Sequence, residues 1–375
     1  MTNNRPIKKL WEIGTFIRWI TYHKQELLPS YVDWCVTLLR SNNIQNELNL
    51  NELQYLPKRL ITEEKIVKKW DVLFCMSNWS KDLVWKNIIL PDLKDYSFGA
   101  FCSIFRPKTS ESSIYIKYFL RSSFYKDYIY WLSRWIGINN LRNSDLEVLE
   151  IPLPPLDIQK AIVAKLDEAF TEIDEAIATT QANIEKTNET TKSVLDKVFE
   201  EWEWEKVKLR EVITLNYGKG LDKKERSEHG LYNVYGANWV LAKSDKYLIE
   251  WESIIVWRKG SAWALTRINW KFRPTDVTYY VTFNKKWNMD YIYLALKRLN
   301  LESLAQWVKP WINRNEVYDL EIPLPSLAKQ QEIVKYLDEV FAHTKEIKFD
   351  YEAKLEKLKE LKASILQSAF EGKLI

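Results

Sequence analysis

Glycine is nearly missing from this chain, at nine among 375 residues, where an average protein carries about 7%. Cysteine is equally scarce. Cys35, Cys75 and Cys102 show no CxxC spacing, which excludes a disulfide framework and a Cys-type zinc site. His23, His229 and His343 stand too far apart for a local metal motif. No apolar run reaches the length of a membrane span. The first ten residues are polar and basic without the apolar centre of a signal peptide, so a cytoplasmic protein is expected. An excess of one charge is also missing. Fifty-five basic and 51 acidic residues leave a net charge of +4, which permits nucleic-acid binding without requiring it, so a binding face must come from local clustering. No GxxxxGK[ST] loop, GxGxxG or Asn/Asp-Pro-Pro-Tyr motif is present, which argues against a nucleotide motor and an amino-methyltransferase. Asp350, Glu352 and Lys354 resemble the tail of a nuclease motif, but they sit in a charged helical stretch where a solvated face is the better reading.

What is abundant is tryptophan, at 18 residues. Nine Gly and 18 Trp together make 27, about the glycine share of an ordinary chain of this length. Many of the Trp stand where a turn would want glycine. Trp257, Trp263 and Trp270 fall in the polar stretch VWRKGSAWALTRINWKF, which reads as tight turns. Asn78-Trp79, Asn238-Trp239 and Asn269-Trp270 would each become Asn-Gly, the strongest short turn signal. The pattern is that expected of a gene whose UGA codons mean glycine and have been read as Trp at most of these positions; an unusually Trp-rich surface is the alternative reading. Trp204 is expected to be genuine, and Trp131 is a second candidate.

A hydrophobic fraction of 46% and a charged fraction of 28% fit a globular protein, and 375 residues suit two or more domains. An internal repeat organises them. Leu149-Glu150-Ile151-Pro152-Leu153-Pro154 recurs as Leu320-Glu321-Ile322-Pro323-Leu324-Pro325, at an offset of 171 residues. The offset holds for Gln159 and Gln330, Leu166-Asp167-Glu168 and Leu337-Asp338-Glu339, and Phe199-Glu200 and Phe370-Glu371. Proline makes each IPLP segment extended. A long helix is predicted after each. Its apolar stripe in the first copy is Ile162, Leu166, Ala169, Ile173, Ala176, Thr180, Ile184, Thr187, Thr191, Val194 and Val198. The second copy carries Ile333, Leu337, Val340, Thr344, Ile347, Tyr351, Leu355, Leu358, Leu361, Ile365 and Ala369. The steps of three and four mark a coiled-coil seam. About 45 residues give a rod of roughly 65 Å.

The regions ahead of each IPLP mix short β-type runs with turns, as in Asp71–Met76, Ser253–Val256 and Val277–Val281. Their beginnings correspond: Lys9-Leu10 with Glu12 matches Lys208-Leu209 with Glu211, which places Trp19 on Gly218. The expected fold class is α+β, two globular heads alternating with two long helices that pair as an antiparallel coiled coil. The expected boundaries are a head at 1–148, an IPLP-helix unit at 149–204, a head at 205–319 and an IPLP-helix unit at 320–375.

This combination resembles the specificity subunit of type I restriction-modification enzymes. The residues that carry it are Ile151–Leu156 with Gln159, Ile322–Leu327 with Gln330 and Gln331, the C-terminal Leu366–Leu374, and Lys9-Leu10 opening a head. The resemblance spans nearly the whole chain. It implies that each head is a target recognition domain reading one half of a bipartite, asymmetric site in double-stranded DNA. It implies further that the rods set the spacing of the half-sites and dock two copies of the methyltransferase subunit, with a motor-nuclease (restriction) subunit as a further partner. The chain itself would be non-catalytic and hold no cofactor, with S-adenosylmethionine, ATP and Mg on the partner subunits.

Candidate DNA contacts follow from residue type. Arg258, Lys259, Gly260 and Ser261 offer two cations, a hydroxyl and free backbone amides, suited to phosphates and guanine edges. Thr275 beside Asp276 is placed to support that loop. Ser77, Asn78, Ser80 and Lys81 form the similar segment of the first head. For any one of these, a solvated turn with no ligand is an equal reading. Lys309 and Arg314 are open between DNA and solvent. Two other functions compete with the specificity subunit. A coiled-coil scaffold that binds no DNA would explain the rods but not the duplicated IPLP-Gln segment. A self-contained nuclease or methyltransferase needs a motif that is not in the sequence.

Overall fold

The computed structural model describes residues 5–45, 47–77, 86–136, 141–200, 204–237, 239–258, 264–285, 287–299, 301 and 314–375. It divides into two compact units, 1–179 with 354–375, and 180–353. Each unit contains one head and a stretch of both long helices.

The first unit opens with β1 (Ile7–Lys9), the one-turn α1 (Leu10–Ile13) and β2 (Gly14–Arg18). The strands β3 (Cys35–Leu39), β4 (Gln54–Pro57), β5 (Val72–Cys75), β6 (Asn87–Ile89), β7 (Tyr96–Phe98) and β8 (Cys102–Pro107) follow. Then come α2 (Ser113–Phe119), α3 (Ser123–Ile136), α4 (Asn143–Glu147), β9 (Glu150–Pro152) and α5 (Leu156–Glu200). The strands form a four-stranded sheet in the order β2-β8-β5-β6 and a three-stranded sheet in the order β4-β3-β7. Side-chain alternation in β5 separates two cores. Val72 and Phe74 face the helices, among Tyr115, Phe119 and Ile162. Leu73 and Cys75 face the other way, among Leu39, Phe98 and Ile104.

The second unit repeats the plan with β10 (Lys206–Lys208), α6 (Leu209–Val212) and β11 (Ile213–Tyr217). After these run β12 (Tyr232–Gly236), β13 (Trp239–Ser244), β14 (Ser253–Trp257), β15 (Leu265–Ile268), β16 (Arg273–Pro274) and β17 (Thr278–Phe283). The helices α7 (Met289–Arg298) and α8 (Arg314–Asp319), the strand β18 (Glu321–Pro323) and the helix α9 (Leu327–Glu371) complete the chain. Its sheets are β11-β17-β14-β15 and β13-β12-β16, the same order strand for strand. Ile254 and Val256 face the helices, and Ile255 and Trp257 face the small sheet.

The IPLP segments are extended, as proline dictates, and each is tied back to the start of its own head. Ile151 pairs with Lys8 in β9–β1, and Ile322 with Val207 in β18–β10. The repeated glutamine closes the turn into the helix: Gln159 Nε2 donates to the Pro154 carbonyl at 2.7 Å, and Gln330 Nε2 to that of Pro325 at 2.8 Å. A buried tyrosine from each head then donates to the proline carbonyl in the strand, Tyr115 to Pro152 at 2.7 Å and Tyr291 to Pro323 at 2.8 Å.

In both units the two long helices run antiparallel. In the first, Lys362 pairs with Asp174 at 2.5 Å and Lys165 donates to the Leu374 carbonyl at 3.1 Å. In the second, Lys348 reaches Asn188 at 3.4 Å, and Leu195 and Phe199 share a core with Ile333 and Leu337. The first seam is buried or half-buried at every expected position. Its threonines cost little there, because Thr187 and Thr191 return their hydroxyls to carbonyls four residues back. The second seam departs from expectation at Ile347 and Leu361, which are about half exposed, while Lys348 and Lys362 turn inward. A straight helix turns every 3.6 residues, so an apolar stripe spaced at 3.5 drifts off the contact line.

The backbone also bears on the tryptophans. Trp70 has a φ of 75° and Trp239 a φ of 67°, two of the five non-glycine residues with positive φ among those described. Trp70 is the third residue of a turn closed by Asp71 N–H to the Lys68 carbonyl at 3.1 Å, the place a type II turn reserves for glycine. Trp239 opens β13, paired in register with Gly236 at the end of β12. Gly218, the expected counterpart of Trp19, has no room for a side chain. A Cβ there would lie 2.3 Å from the Thr275 carbonyl oxygen. Trp257 goes against expectation. It ends a strand rather than forming a turn, is fully buried, and donates its indole N–H to the Gly236 carbonyl at 2.5 Å. Trp263 and Trp79 lie outside the described residues. Among the described residues, no helix is long and apolar enough to cross a membrane.

Candidate nucleic-acid interface

The four-stranded sheet of each unit ends in the segments that the sequence marked. Of these candidates, Asn78, Ser80, Lys81, Lys259, Gly260 and Ser261 lie outside the described residues, as does Lys309. Ser77 follows β5 by two residues and is half-buried, its carbonyl accepting from the Cys75 thiol at 3.5 Å. Thr275 is withdrawn from the surface. It is buried, and its hydroxyl and its backbone N–H both donate to the Tyr235 carbonyl, at 2.8 and 3.0 Å. Its hydroxyl is committed inside the fold, so Thr275 buttresses the segment rather than presenting a contact.

Arg258 is the candidate that the structure places in a cluster. It follows β14 directly, held by its backbone N–H to the Val277 carbonyl at 3.1 Å and by one guanidinium N–H to the Asp276 carbonyl at 3.0 Å. Its guanidinium carbon lies 5.1 Å from the ring centre of Tyr217 and 5.6 Å from that of Tyr279. Arg314, at the start of α8, comes from the other side of the chain. Its guanidinium carbon is 5.4 Å from the Tyr217 ring and 5.8 Å from that of Tyr318, and it donates to the Leu215 carbonyl at 3.3 Å.

Neighbouring strands set the two tyrosines opposite each other. Tyr217 ends β11 and pairs in register with Tyr279 of β17. Their rings are 4.9 Å apart, and the Tyr279 hydroxyl donates to that of Tyr217 at 3.5 Å. The bond from Tyr279, and after it the charges of Arg258 and Arg314, hold the Tyr217 phenol below its ordinary pKa. Burial, with the same bond, pushes Tyr279 up to about 12. Tyr217 accepts from Tyr279 and carries its own hydroxyl on a half-exposed ring.

Tyr217 and Tyr279 were not singled out by the sequence, and Arg314 was left open. The one usable signal was the Lys-Leu register between the heads, which sets Tyr217 opposite Arg18. Arg18 is itself exposed, with its guanidinium carbon 5.3 Å from the Trp19 ring. Both heads thus carry a cation–aromatic contact at the end of the same strand, built from different residues.

A family model described as the type I restriction modification DNA specificity domain matches this chain twice, over residues 12–186 and 201–357. The specificity subunit of the type I restriction enzyme StySPI of Salmonella potsdam is 28% identical over 410 residues, covering 96% of this chain and 87% of that protein. The EcoKI specificity subunit of Escherichia coli strain K12 is 26% identical with the same coverage. Among solved structures, a chain from a study of complex assembly and conformational transition of the type I R-M system superposes with a TM-score of 0.78, at 18% identity and 98% coverage of both chains. The HsdS subunit from Thermoanaerobacter tengcongensis does so with a TM-score of 0.58, at 17% identity, covering 98% of this chain and 97% of that one.

Proposed function

The chain belongs to the type I restriction modification DNA specificity domain family, and from that premise we propose that it is the subunit that selects the DNA target of a type I restriction-modification enzyme. The observation that carries this reading is the duplicated unit. One strand order, one IPLP anchor and one long helix occur twice, and the family match falls once on each copy. Each head reads one half of a bipartite site. The half-sites differ because the surfaces of the heads differ, and a body of two like units can thereby read an asymmetric sequence.

The chemistry belongs to partners. Two methyltransferase subunits dock on the paired helices and transfer the methyl group of S-adenosylmethionine, and a motor-nuclease subunit that uses ATP and Mg completes the enzyme. The role of this chain is to position them. Phosphate contacts fix register on the duplex, and side chains at base edges choose the sequence.

Genome-wide methylation mapping tests the proposal, in cells carrying the cognate methyltransferase gene with and without this gene. The expected result is a split motif, two short specific halves around a fixed unspecified gap, that appears only when the gene is present. Replacing residues 205–319 with the head of a relative should change one half and leave the other. A methylation pattern indifferent to the gene would leave the scaffold reading in place.

A further inference from the structure

In the second unit, two guanidinium groups lie against one phenol. Arg258 and Arg314 lie 56 positions apart in sequence, yet both stand within 5.4 Å of the Tyr217 ring centre. Neither forms an ion pair with a carboxylate among the described residues. Four other arginines of this head do have acidic partners: Arg210 with Asp319, Arg267 with Asp290, Arg273 with Glu225 and Arg298 with Glu200. Two positive charges against one half-exposed ring favour an anion beside them. The backbone bonds to Asp276 and Leu215 use one N–H of each fork and fix its direction. The terminal N–H groups that remain, with the Tyr217 hydroxyl, supply donors of the kind a tetrahedral oxyanion accepts.

Resting on the reading of this head as a DNA-binding module, we propose that Tyr217, Arg258 and Arg314 form a clamp for one backbone phosphate of the duplex, which sets the register of the second head without reading sequence. Arginine forks suit a phosphate bidentately, and a phenol held acidic by its neighbours is a stronger donor than an ordinary tyrosine. Arg258 was the natural candidate for a guanine edge. In the structure it shares the Tyr217 ring with Arg314, and a site with two cations is better matched to an anion than to a single base.

The test is a titration of the full chain, assembled with its methyltransferase subunit, against two duplexes. One carries the mapped target and the other a scrambled sequence of the same length, each followed from about 0.05 to 0.3 M salt. Arg314→Gln and Arg258→Gln should each weaken binding to both duplexes by the same factor, about tenfold. The slope of log affinity against log salt should become shallower, by about 0.9 when both arginines are replaced, the signature of one lost phosphate. Arg314→Lys should keep the slope, because a phosphate accepts a point charge. Tyr217→Phe keeps both rings in place and should weaken both duplexes by a smaller common factor with the slope unchanged. A loss confined to the target duplex would make these residues base readers and overturn the clamp. So would unchanged affinity and slope accompanied by a fall in thermal midpoint, which would make the cluster structural. A wild-type assembly that does not distinguish the two duplexes would sink the specificity reading instead, and the clamp would still be decided by the slopes.

Discussion

The two units share a skeleton and differ in almost everything laid over it. Both use one strand order for the large sheet and one for the small sheet, and both tie the IPLP strand to the first strand of the head in the same register. Each inserts a buried tyrosine against a phenylalanine of the repeat. Tyr115 meets Phe370 with ring centres 5.2 Å apart, and Tyr291 meets Phe199 at the same distance. The core place that Cys75 fills in the first unit is filled by Trp257 in the second. The strand end that presents Arg18 in one presents Tyr217 in the other. The shared residues make the joint between head and helix, and the divergent ones sit on the strands and loops away from it. This is the division required of a protein that must keep its assembly geometry while changing its target.

That comparison can be broken most forcefully at the joint. Phe370→Ala should destabilise the first unit and Phe199→Ala the second, each by about 3–5 kcal/mol, because each empties a site within a packed core. Hydrogen exchange read unit by unit checks this. Equal losses in both units from either change would show that the two joints are not separate. A smaller effect is expected from Tyr115→Phe and Tyr291→Phe. Each leaves a proline carbonyl, half-buried at Pro152 and buried at Pro323, without its tyrosine donor, at about 1–2 kcal/mol in chemical denaturation. Similar costs in the two units would sharpen the claim that the anchor is common, and a cost in only one would refute it. The smallest effect concerns the tryptophans. Trp70→Gly and Trp239→Gly should each raise stability by about 1 kcal/mol by relieving left-handed backbone strain. Trp257→Gly, which empties a buried place and removes an N–H bond, should act with the opposite sign. The gene should carry UGA at codons 70 and 239. UGG there would end the recoding proposal for those positions.

Much of the framework was legible because it is local or repeated. The proline pairs announced extended strands, the three-and-four spacing announced both helices, and the offset of 171 announced their equivalence. The repeated glutamine was visible but its purpose was not, since a hydrogen bond to a proline carbonyl five residues back is a matter of geometry. Periodicity also misplaced Ile347 and Leu361, because an apolar residue at the right spacing still turns outward where the stripe drifts. For the interface, residue type was enough to mark Arg258 and not enough to place it. Thr275 was legible as support for that segment, and its buried hydroxyl donates to the Tyr235 carbonyl.

The sequence by itself determined the number of units, their order, the extended segments and the long helices, because these follow from backbone restriction and from periodicity along a single element. Only the tertiary structure decided that the heads share one strand order despite dissimilar sequences, that each unit takes a stretch of both helices, and that Arg258, Arg314 and Tyr217 meet. Those facts depend on which elements lie side by side. Pairing between strands far apart in the chain is set by the summed burial of two cores on either side of a sheet, and no local pattern records that sum.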